Sequence, residues 1–178
     1  MPETSRESTA YERTAELLAV CHRDIGRHLE ALERAGDRAD RDLEPLRKAL
    51  AFFDLMLAVH QPDEEIDVFP ALLAAAVRPD ERSQAYELVA RLMVEHRELS
   101  ALWLALRPAL ARLADGLDAV LPGEARVRFA ALYRLHLGRE ERELERLLRL
   151  VPSDRLERIA RSIAARHQRA GFGGPGGA

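Results

Sequence analysis

The segment HQPDEEIDVFP, residues 60–70, places a proline inside a stretch whose hydrophobic pattern is otherwise helical. A proline in a helix interior removes one backbone hydrogen bond and clashes with the carbonyl four residues earlier, at a cost of about 3 kcal/mol. Pro62 stands two residues after His60 and two residues before Glu64. Another interaction must offset this weakened turn, and the two flanking polar side chains are the first candidates.

The same arrangement recurs 76 residues later in the chain. His136 and Glu140 repeat the HxxxE spacing, and Gly138 stands where the first copy has Pro62. Glycine also weakens a helix interior, because it loses more backbone freedom on folding than other residues do. Since residues four apart lie on the same face of a helix, each HxxxE pair can direct its imidazole and its carboxylate to one point.

The hydrophobic periodicity is helical along nearly the whole chain, and no stretch alternates as a half-buried strand does. Four long helices and a shorter fifth are predicted, at residues 9–35, 42–75, 80–115, 122–151 and 153–169. Asp80 and Ser153 are the expected N-caps of the third and fifth helices, and Pro108 is expected to bend the third. Long helices joined by short loops favour an all-α, antiparallel up-and-down four-helix bundle, here with an extra C-terminal helix as an appendage.

The other two helices of the bundle each carry one histidine on an apolar stripe. His22 is the only polar member of the first stripe, and His96 has the corresponding place, 74 residues later, in the third helix. With a rise of about 1.5 Å per residue, both histidines reach the height of His60 and His136 along the bundle. Four imidazoles and two carboxylates are therefore predicted to meet in one layer of the core.

Such a layer favours metal ions over a network of hydrogen-bonded polar side chains, because buried charges without neutralisation are costly and bundles hold cations at such sites. Imidazole and carboxylate together suit iron, manganese or zinc. Six ligands are too many for one tetrahedral zinc ion, so two ions are predicted. Metal bonds would then offset the weakened turns at Pro62 and Gly138, whose distortion would adjust the spacing of histidine and glutamate. The alternative is that Pro62 only kinks the second helix for packing.

Several neighbouring residues are candidates to support these ligands. Metal-bound histidines usually donate their second ring nitrogen to a carboxylate or a carbonyl, and Glu65 and Glu141 have suitable positions. Glu95 also adjoins a proposed ligand, but it is expected to face solvent. Tyr133, one turn before His136, either hydrogen-bonds a bound oxygen species or fills the core with its ring.

The remaining histidines and the single cysteine lack this context. His28 and His167 are expected at the protein surface. Cys21 is offset by about 100° around the helix from the neighbouring histidine and is expected to pack as a small apolar residue. Trp103 follows the apolar stripe of its helix and is expected in the core.

Composition limits the classes of partner. The 178 residues, 47% of them hydrophobic, suffice for one domain. It is predicted at residues 1–169, with its core at 9–150, the extra helix at 153–169 and a disordered tail at 170–178. The net charge of −3, with 27 basic and 30 acidic residues interleaved, provides no electrostatic footprint for nucleic acid or an anionic membrane. One cysteine, and no apolar run that could serve as a signal peptide or a membrane span, predict a cytoplasmic protein.

Taken together, these residues resemble the hemerythrin-like, HHE cation-binding domain family. The resemblance covers about residues 15–150 and depends on the H…HxxxE…H…HxxxE spacing, the EE pairs at 64–65 and 140–141, the VFP at 68–70 and the Glu95–His96 pair. Four histidines and two glutamates are most similar to the bacterial di-iron members, such as the iron-centre repair proteins and the actinobacterial hemerythrin-like proteins. Ser100 stands where oxygen-carrying hemerythrins have a fifth histidine, and ERLLRLVP, residues 145–152, replaces the usual FP motif.

The resemblance implies a cofactor of two non-haem iron ions, bridged by oxygen atoms and by the carboxylates of Glu64 and Glu140. It implies that the histidines of one repeat bind one iron and that those of the second repeat mainly bind the other. The ExxH motif of ferritin-like di-iron proteins is absent, because none of the six histidines has a glutamate three residues before it.

Three functions stay open at this point. The centre could react with hydrogen peroxide or dioxygen, as a peroxide-decomposing or oxygen-activating enzyme; it could bind or sense dioxygen or nitric oxide without turnover; or it could store or deliver iron and repair iron centres. Ser100 argues against simple reversible oxygen carriage, because a less protected site tends to react. No sensor partner domain and no N-terminal cysteine-bearing segment are visible in the sequence. These features favour a free-standing monomer or weak homodimer that meets small oxidants itself.

Overall fold

The computed structural model describes residues 3–34, 42–117, 119–120 and 123–171. Its helices are, in chain order, α1 (Glu3–Arg34), α2 (Glu44–Pro62), the π-helical turn π1 (Asp63–Val68), α3 (Phe69–Ala75), α4 (Pro79–Ala114), α5 (Gly123–Arg139), a second π-helical turn π2 (Glu140–Leu144), α6 (Glu145–Leu148) and α7 (Ser153–Arg169). No strand occurs in these ranges. None of the helices found there has both the length and the apolar character needed to cross a lipid bilayer.

The helices form four long rods and one shorter helix. α2, π1 and α3 follow one another without a break, and so do α5, π2 and α6. The first rod, α1, packs against both α2 and α5, while α4 packs against the same two helices from the other side. The predicted all-α four-helix bundle with an extra C-terminal helix is therefore confirmed.

Helix α1 begins at Glu3, six residues before the predicted start at Thr9. The predicted cap at Asp80 is wrong. Arg78 is the N-cap of α4, and Pro79 stands in the first turn, where a missing N–H removes no helical hydrogen bond. The Asp80 carboxylate instead accepts two hydrogen bonds from the Arg78 guanidinium, at 3.1 and 3.2 Å.

The predicted cap at Ser153 is also wrong, by one residue. Pro152 is the N-cap of α7, and its carbonyl accepts the N–H groups of Arg155 and Leu156 at 3.0 Å. Helix α4 continues through Pro108 to Ala114. Most of the predicted tail, residues 172–178, lies outside the described residues.

The two π-helical turns occur at the positions that the sequence marks as weak. π1 begins directly after Pro62, and π2 begins two residues after Gly138. A π-turn closes with a hydrogen bond from residue i+5 to residue i. In π1 this bond runs from the Phe69 N–H to the Glu64 carbonyl, and in π2 from the Glu145 N–H to the Glu140 carbonyl. The predicted distortion between histidine and glutamate is confirmed in the first repeat, where π1 begins at Asp63. In the second repeat, α5 is regular from His136 to Arg139 and the distortion begins only at Glu140. Its link to metal binding stays a prediction.

A layer of buried histidines and glutamates separates the buried hydrophobic residues into two clusters. The first cluster is centred on Phe53, whose ring lies 5.3, 5.4 and 5.7 Å from the rings of Trp103, Phe129 and Tyr133. The second cluster fills the other end of the bundle and includes Leu156, Ile159 and Ile163 of α7, which packs along α1. Helix α7 therefore closes one end of the core, although the sequence suggested only an appendage.

Replacement of Phe53 by alanine tests the first cluster. Phe53 is fully buried, so Phe53→Ala should lower the free energy of unfolding by about 3–5 kcal/mol, as expected for a large cavity. The matched control is Leu104→Ala, because Leu104 is 71% exposed and its truncation should change stability by less than about 0.5 kcal/mol. Urea unfolding followed by circular dichroism measures both values, and equal effects of the two substitutions would contradict this packing.

Candidate metal centre

The structure brings the six predicted ligand residues into one layer that crosses all four rods of the bundle. Each rod contributes at least one of them, and the exposed fraction of every one is 7% or less. The contributors are His22 of α1, His60 of α2, Glu64 of π1, His96 of α4, His136 of α5 and Glu140 of π2. The predicted meeting of four imidazoles and two carboxylates is therefore confirmed.

The six side chains form two clusters that share both glutamates. In the first metal cluster, His22 and His60 face Glu64 and Glu140. In the second metal cluster, His96 and His136 face the same two glutamates. Within each cluster, one candidate ligand atom from every residue lies within 4.8 Å of the others. Each sequence repeat thus supplies the histidines of one cluster, which agrees with the partition that the family resemblance implied.

Each carboxylate directs one oxygen to each cluster. Oε2 of Glu140 lies 3.0 Å from Nε2 of His22, and Oε1 of Glu140 lies 2.6 Å from Nε2 of His136. Oε1 of Glu64 lies 3.8 Å from Nε2 of His60, and its Oε2 lies 3.0 Å from Nε2 of His96. This is the arrangement expected of two carboxylates that bridge a pair of ions.

The chemistry of the layer fits a pair of cations. All four oxygens of Glu64 and Glu140, and both ring nitrogens of His22 and His60, are buried without a well-directed hydrogen bond. Buried polar atoms are nearly always hydrogen-bonded, because an unpaired one loses its hydration without compensation. Metal ions would bond these atoms, and a set of imidazole nitrogens and carboxylate oxygens suits iron, manganese or zinc.

The histidines of the second metal cluster are backed by carboxylates. Nδ1 of His96 lies 2.7 Å from Oε1 of Glu65, and Nδ1 of His136 lies 3.0 Å from Oε2 of Glu95. Glu95 also forms an ion pair with Arg139. Such contacts fix the ring orientation of a metal-binding histidine and make it a more basic ligand.

The histidines of the first metal cluster have weaker support. Nδ1 of His22 lies 3.5 Å from Oε1 of Glu141, which is 56% exposed, and this contact is not a well-directed hydrogen bond. Nδ1 of His60 has no hydrogen-bond partner among the described residues. The two clusters therefore differ in the side chains that hold their imidazoles.

The expectation that Glu95 faces solvent is wrong. Its side chain is 8% exposed and lies between α4 and α5, where Arg139 neutralises the charge and His136 provides a hydrogen-bonding nitrogen. The sequence offers no signal for this contact, because the flank of α4 that faces α5 depends on how the helices pack.

The pKa values of the four histidines in the layer are shifted in different directions. Burial lowers the pKa of His22, His96 and His136, but contacts with carboxylates outweigh it, so the pKa of each is raised above its usual value. Glu140 contributes most at His22 and His136, and Glu64 contributes most at His96. At His60 burial dominates and lowers the pKa to about 4. The pKa of Glu140 lies well below its usual value, because His136 and His22 offset its burial.

The structure is compatible with both predicted roles of Tyr133. Its ring is 1% exposed and packs against Phe53 and Phe129, so it fills the core. Burial, together with the negative charges of Glu140 and Glu64, raises the pKa of its hydroxyl well above the usual value. The phenol therefore stays protonated and can serve only as a neutral hydrogen-bonding group.

The other residues considered from the sequence divide into two groups. Cys21 and Trp103 are buried in the first hydrophobic cluster, as predicted, and burial raises the pKa of the Cys21 thiol to about 12. The expected surface positions of the two remaining histidines are wrong. His28 is half-buried and stacks on Phe52 at 3.9 Å, and Nε2 of His167 lies 2.6 Å from the buried carboxylate of Asp63.

Ser100 forms part of a link between α2 and α4. Its hydroxyl donates a hydrogen bond to Oε1 of Gln61 at 3.1 Å, and the Gln61 amide donates to the carbonyl of His96 at 3.2 Å. Ser100 and Gln61 thus form a half-buried polar pair beside His96.

Comparison with known proteins agrees with this geometry. A sequence model of the hemerythrin HHE cation-binding domain matches residues 13–148. A protein of Haemophilus influenzae, described only as an uncharacterized protein, is 24% identical to this chain over 169 residues, which cover 92% of this chain and 95% of that protein. The chain belongs to the hemerythrin HHE cation-binding domain family, and its His/Glu layer lies inside the matched region.

Removal of the carboxylate behind His136 should weaken metal binding. We expect Glu95→Ala to lower metal affinity roughly 10-fold to 100-fold, because the imidazole loses its hydrogen-bond acceptor. Glu141→Ala is the matched control, because Glu141 is exposed and lies 3.5 Å from His22 without a directed bond, so a much smaller loss is expected. Competition titration with a chelator measures both affinities. Equal losses in the two variants would contradict the inference that Glu95 supports His136 more strongly than Glu141 supports His22.

The stability of the metal-depleted protein should be greatest near pH 6.5. The raised pKa values of His22, His96 and His136 mean that the folded state holds these protons more tightly than the unfolded state does. Their stabilising contribution is complete below about pH 6.5 and is lost as the pH rises through the raised values. The pKa of His60 is lowered to about 4, so the folded state binds this proton less tightly than the unfolded state does. The stability of the folded state therefore decreases as the pH falls from 6.5 toward 4.

Thermal unfolding of chelator-treated protein between pH 4 and pH 9 measures this dependence. Metal binding requires neutral imidazoles. The rise in melting temperature produced by added metal should therefore grow as the pH increases above about 6.5. A melting temperature of depleted protein that keeps rising above pH 6.5 would show that the pKa directions are wrong.

Proposed function

We propose that this chain is a non-haem di-iron protein that reacts with or binds small oxidants, hydrogen peroxide or dioxygen, at the His/Glu layer. The observation that supports this proposal most directly is the sharing of Glu64 and Glu140 between two histidine pairs, with one oxygen of each carboxylate directed to each pair. Membership of a cation-binding family supports it independently.

The ligand count leaves room for an exogenous molecule. Each ion would receive two imidazole nitrogens and one oxygen from each shared carboxylate, which makes four protein ligands per ion. Non-haem iron sites that react with oxygen species keep coordination positions open beyond their protein ligands. A pair of iron ions would supply the electron transfer that a small oxidant requires.

The surrounding protein restricts what can approach. The six side chains of the layer are at least nine-tenths buried, and hydrophobic clusters adjoin the layer on both sides, so only molecules of a few atoms are expected to enter. The ring of Tyr133 lies 6.1 Å from that of His136, and its raised pKa keeps the hydroxyl neutral. The Ser100–Gln61 pair places polar but non-ligating atoms beside His96.

Peroxide decomposition is the reaction that we propose to test first. One hydrogen peroxide gives up two electrons and two protons and becomes dioxygen, while a second accepts them and becomes two waters, so no other reductant or oxidant is consumed. This balance suits a centre of two redox-active ions.

Metal analysis of protein purified from iron-supplemented cells, with an optical spectrum and oxygen-electrode measurements on added peroxide, tests the proposal. We expect about two irons per chain and absorption from an oxygen-bridged iron pair. His60→Ala and His136→Ala should each reduce the iron content to about one per chain or fewer and lower thermal stability, because metal binding couples to folding. His28→Ala, which leaves the layer intact, is the control and should keep the iron and the spectrum.

The outcomes separate the versions of the proposal. Rapid oxygen release by the iron-loaded protein, and its loss in both histidine variants, would support peroxide decomposition. Two irons with spectral changes on adding dioxygen but no oxygen release from peroxide would support binding without turnover. Absence of iron, or one zinc per chain, would refute the di-iron proposal.

A further inference from the structure

The C-terminal end of α7 contacts the π-turn that carries Glu64. Arg166 forms an ion pair with the buried carboxylate of Asp63, and its Nη2 lies 2.7 Å from Oδ2 of Asp67. The neighbouring His167 lies 2.6 Å from the other oxygen of Asp63. Ser162, one turn earlier on α7, donates a hydrogen bond to Oδ2 of Asp67 at 2.9 Å.

These contacts balance an unusual concentration of charge. The sequence DEEID, residues 63–67, places four carboxylates within five residues, all of them inside π1. Glu65 is paired with His96, and α7 pairs Asp63 and Asp67. Glu64 is the carboxylate of this turn that remains for the metal clusters.

Asp63 depends on these partners because its side chain is almost completely buried. Its exposed fraction is 1%, and a buried charge that loses its partner strongly destabilises the structure around it. π-turns are rare and occur mostly as single-turn bulges inside α-helices, frequently at functional sites. Displacement of Asp63 would move Glu64, the next residue in the chain.

Glu64 is also one of the two residues on which both metal clusters depend. One of its oxygens faces His60 and the other faces His96. A shift of this side chain would therefore alter both clusters at once. Helix α7 lies beyond residue 148, where the match to the family ends, so this support belongs to a part of the chain outside the matched domain.

We propose that Arg166, assisted by His167, is a positioning residue of the metal centre: it holds π1 in the geometry that directs Glu64 to both clusters. This inference rests on the proposed di-iron centre. Helix α7 would then support the metal centre as well as the hydrophobic core.

Arg166→Met tests the inference, because methionine keeps an unbranched apolar stem and removes the charge. We expect metal affinity to fall at least roughly 10-fold, the loss typical when a contact that supports a metal ligand is removed. The iron-pair absorption should shift or weaken, and the rise in melting temperature on metal loading should shrink. Arg166→Lys should restore part of each property, since lysine keeps the charge but cannot contact two carboxylates as a fork.

Arg158→Met is the matched control on the same helix. Arg158 is 57% exposed and forms an ion pair with Asp154, which is 69% exposed. Iron content, spectrum and the metal-dependent rise in melting temperature should all remain those of the parent protein. A loss in this control equal to that in Arg166→Met would overturn the specific role of Arg166.

The readouts separate positioning from simple stabilisation. A purely structural role would lower the melting temperatures of metal-depleted and metal-loaded protein equally and leave affinity and spectrum unchanged, and that result overturns the inference. Should Arg166→Met fail to fold, Arg166→Lys and His167→Ala provide the same comparison. A parent protein with two irons and an unaffected Arg166→Met variant refutes the positioning role alone, whereas a parent protein that binds no metal refutes this role and the proposed function together.

Discussion

The burial of two carboxylates among four imidazoles is the constraint on which the rest of this structure depends. Charges and ring nitrogens at this depth are costly unless they are bonded, and the layer holds oxygens and nitrogens without well-directed hydrogen bonds. A pair of shared cations would satisfy them. The two hydrophobic clusters adjoin the layer on opposite sides and fix the height at which each rod presents its histidine.

Irregular backbone and unusual charge occur together where the layer is built. Each glutamate lies in a π-turn, and each π-turn follows a residue that weakens a regular helix. π1 contains four carboxylates. Arg166 of α7, a helix that lies beyond the matched domain, forms ion pairs with two of them, Asp63 and Asp67. The C-terminal helix thus contributes both to the hydrophobic core and to the electrostatic balance next to Glu64.

Much of the fold and of the candidate site could be predicted because the relevant patterns are local. Helical periodicity predicted the rods, although α1 begins six residues before its predicted start. The HxxxE spacing predicted the two His–Glu pairs, since residues four apart share a helix face. The distortion at Pro62 and Gly138 was also predictable, because both residues weaken a helix wherever they stand. Helix caps were less predictable, because a proline precedes each residue that looks like a cap. Pro79, before Asp80, is already in the first turn of α4, and Pro152, before Ser153, is itself the N-cap of α7.

The sequence by itself determined the helices, the repeat and the six residues of the layer, because periodicity and spacing act within a few turns of one helix. Only the tertiary structure decided which carboxylate oxygen faces which histidine pair, that Glu95 turns inward to His136, and that Arg166 reaches Asp63 across 103 residues of chain. These contacts join different helices. They depend on the rotation and the height of each helix relative to its neighbours, and the packing of the whole core sets both.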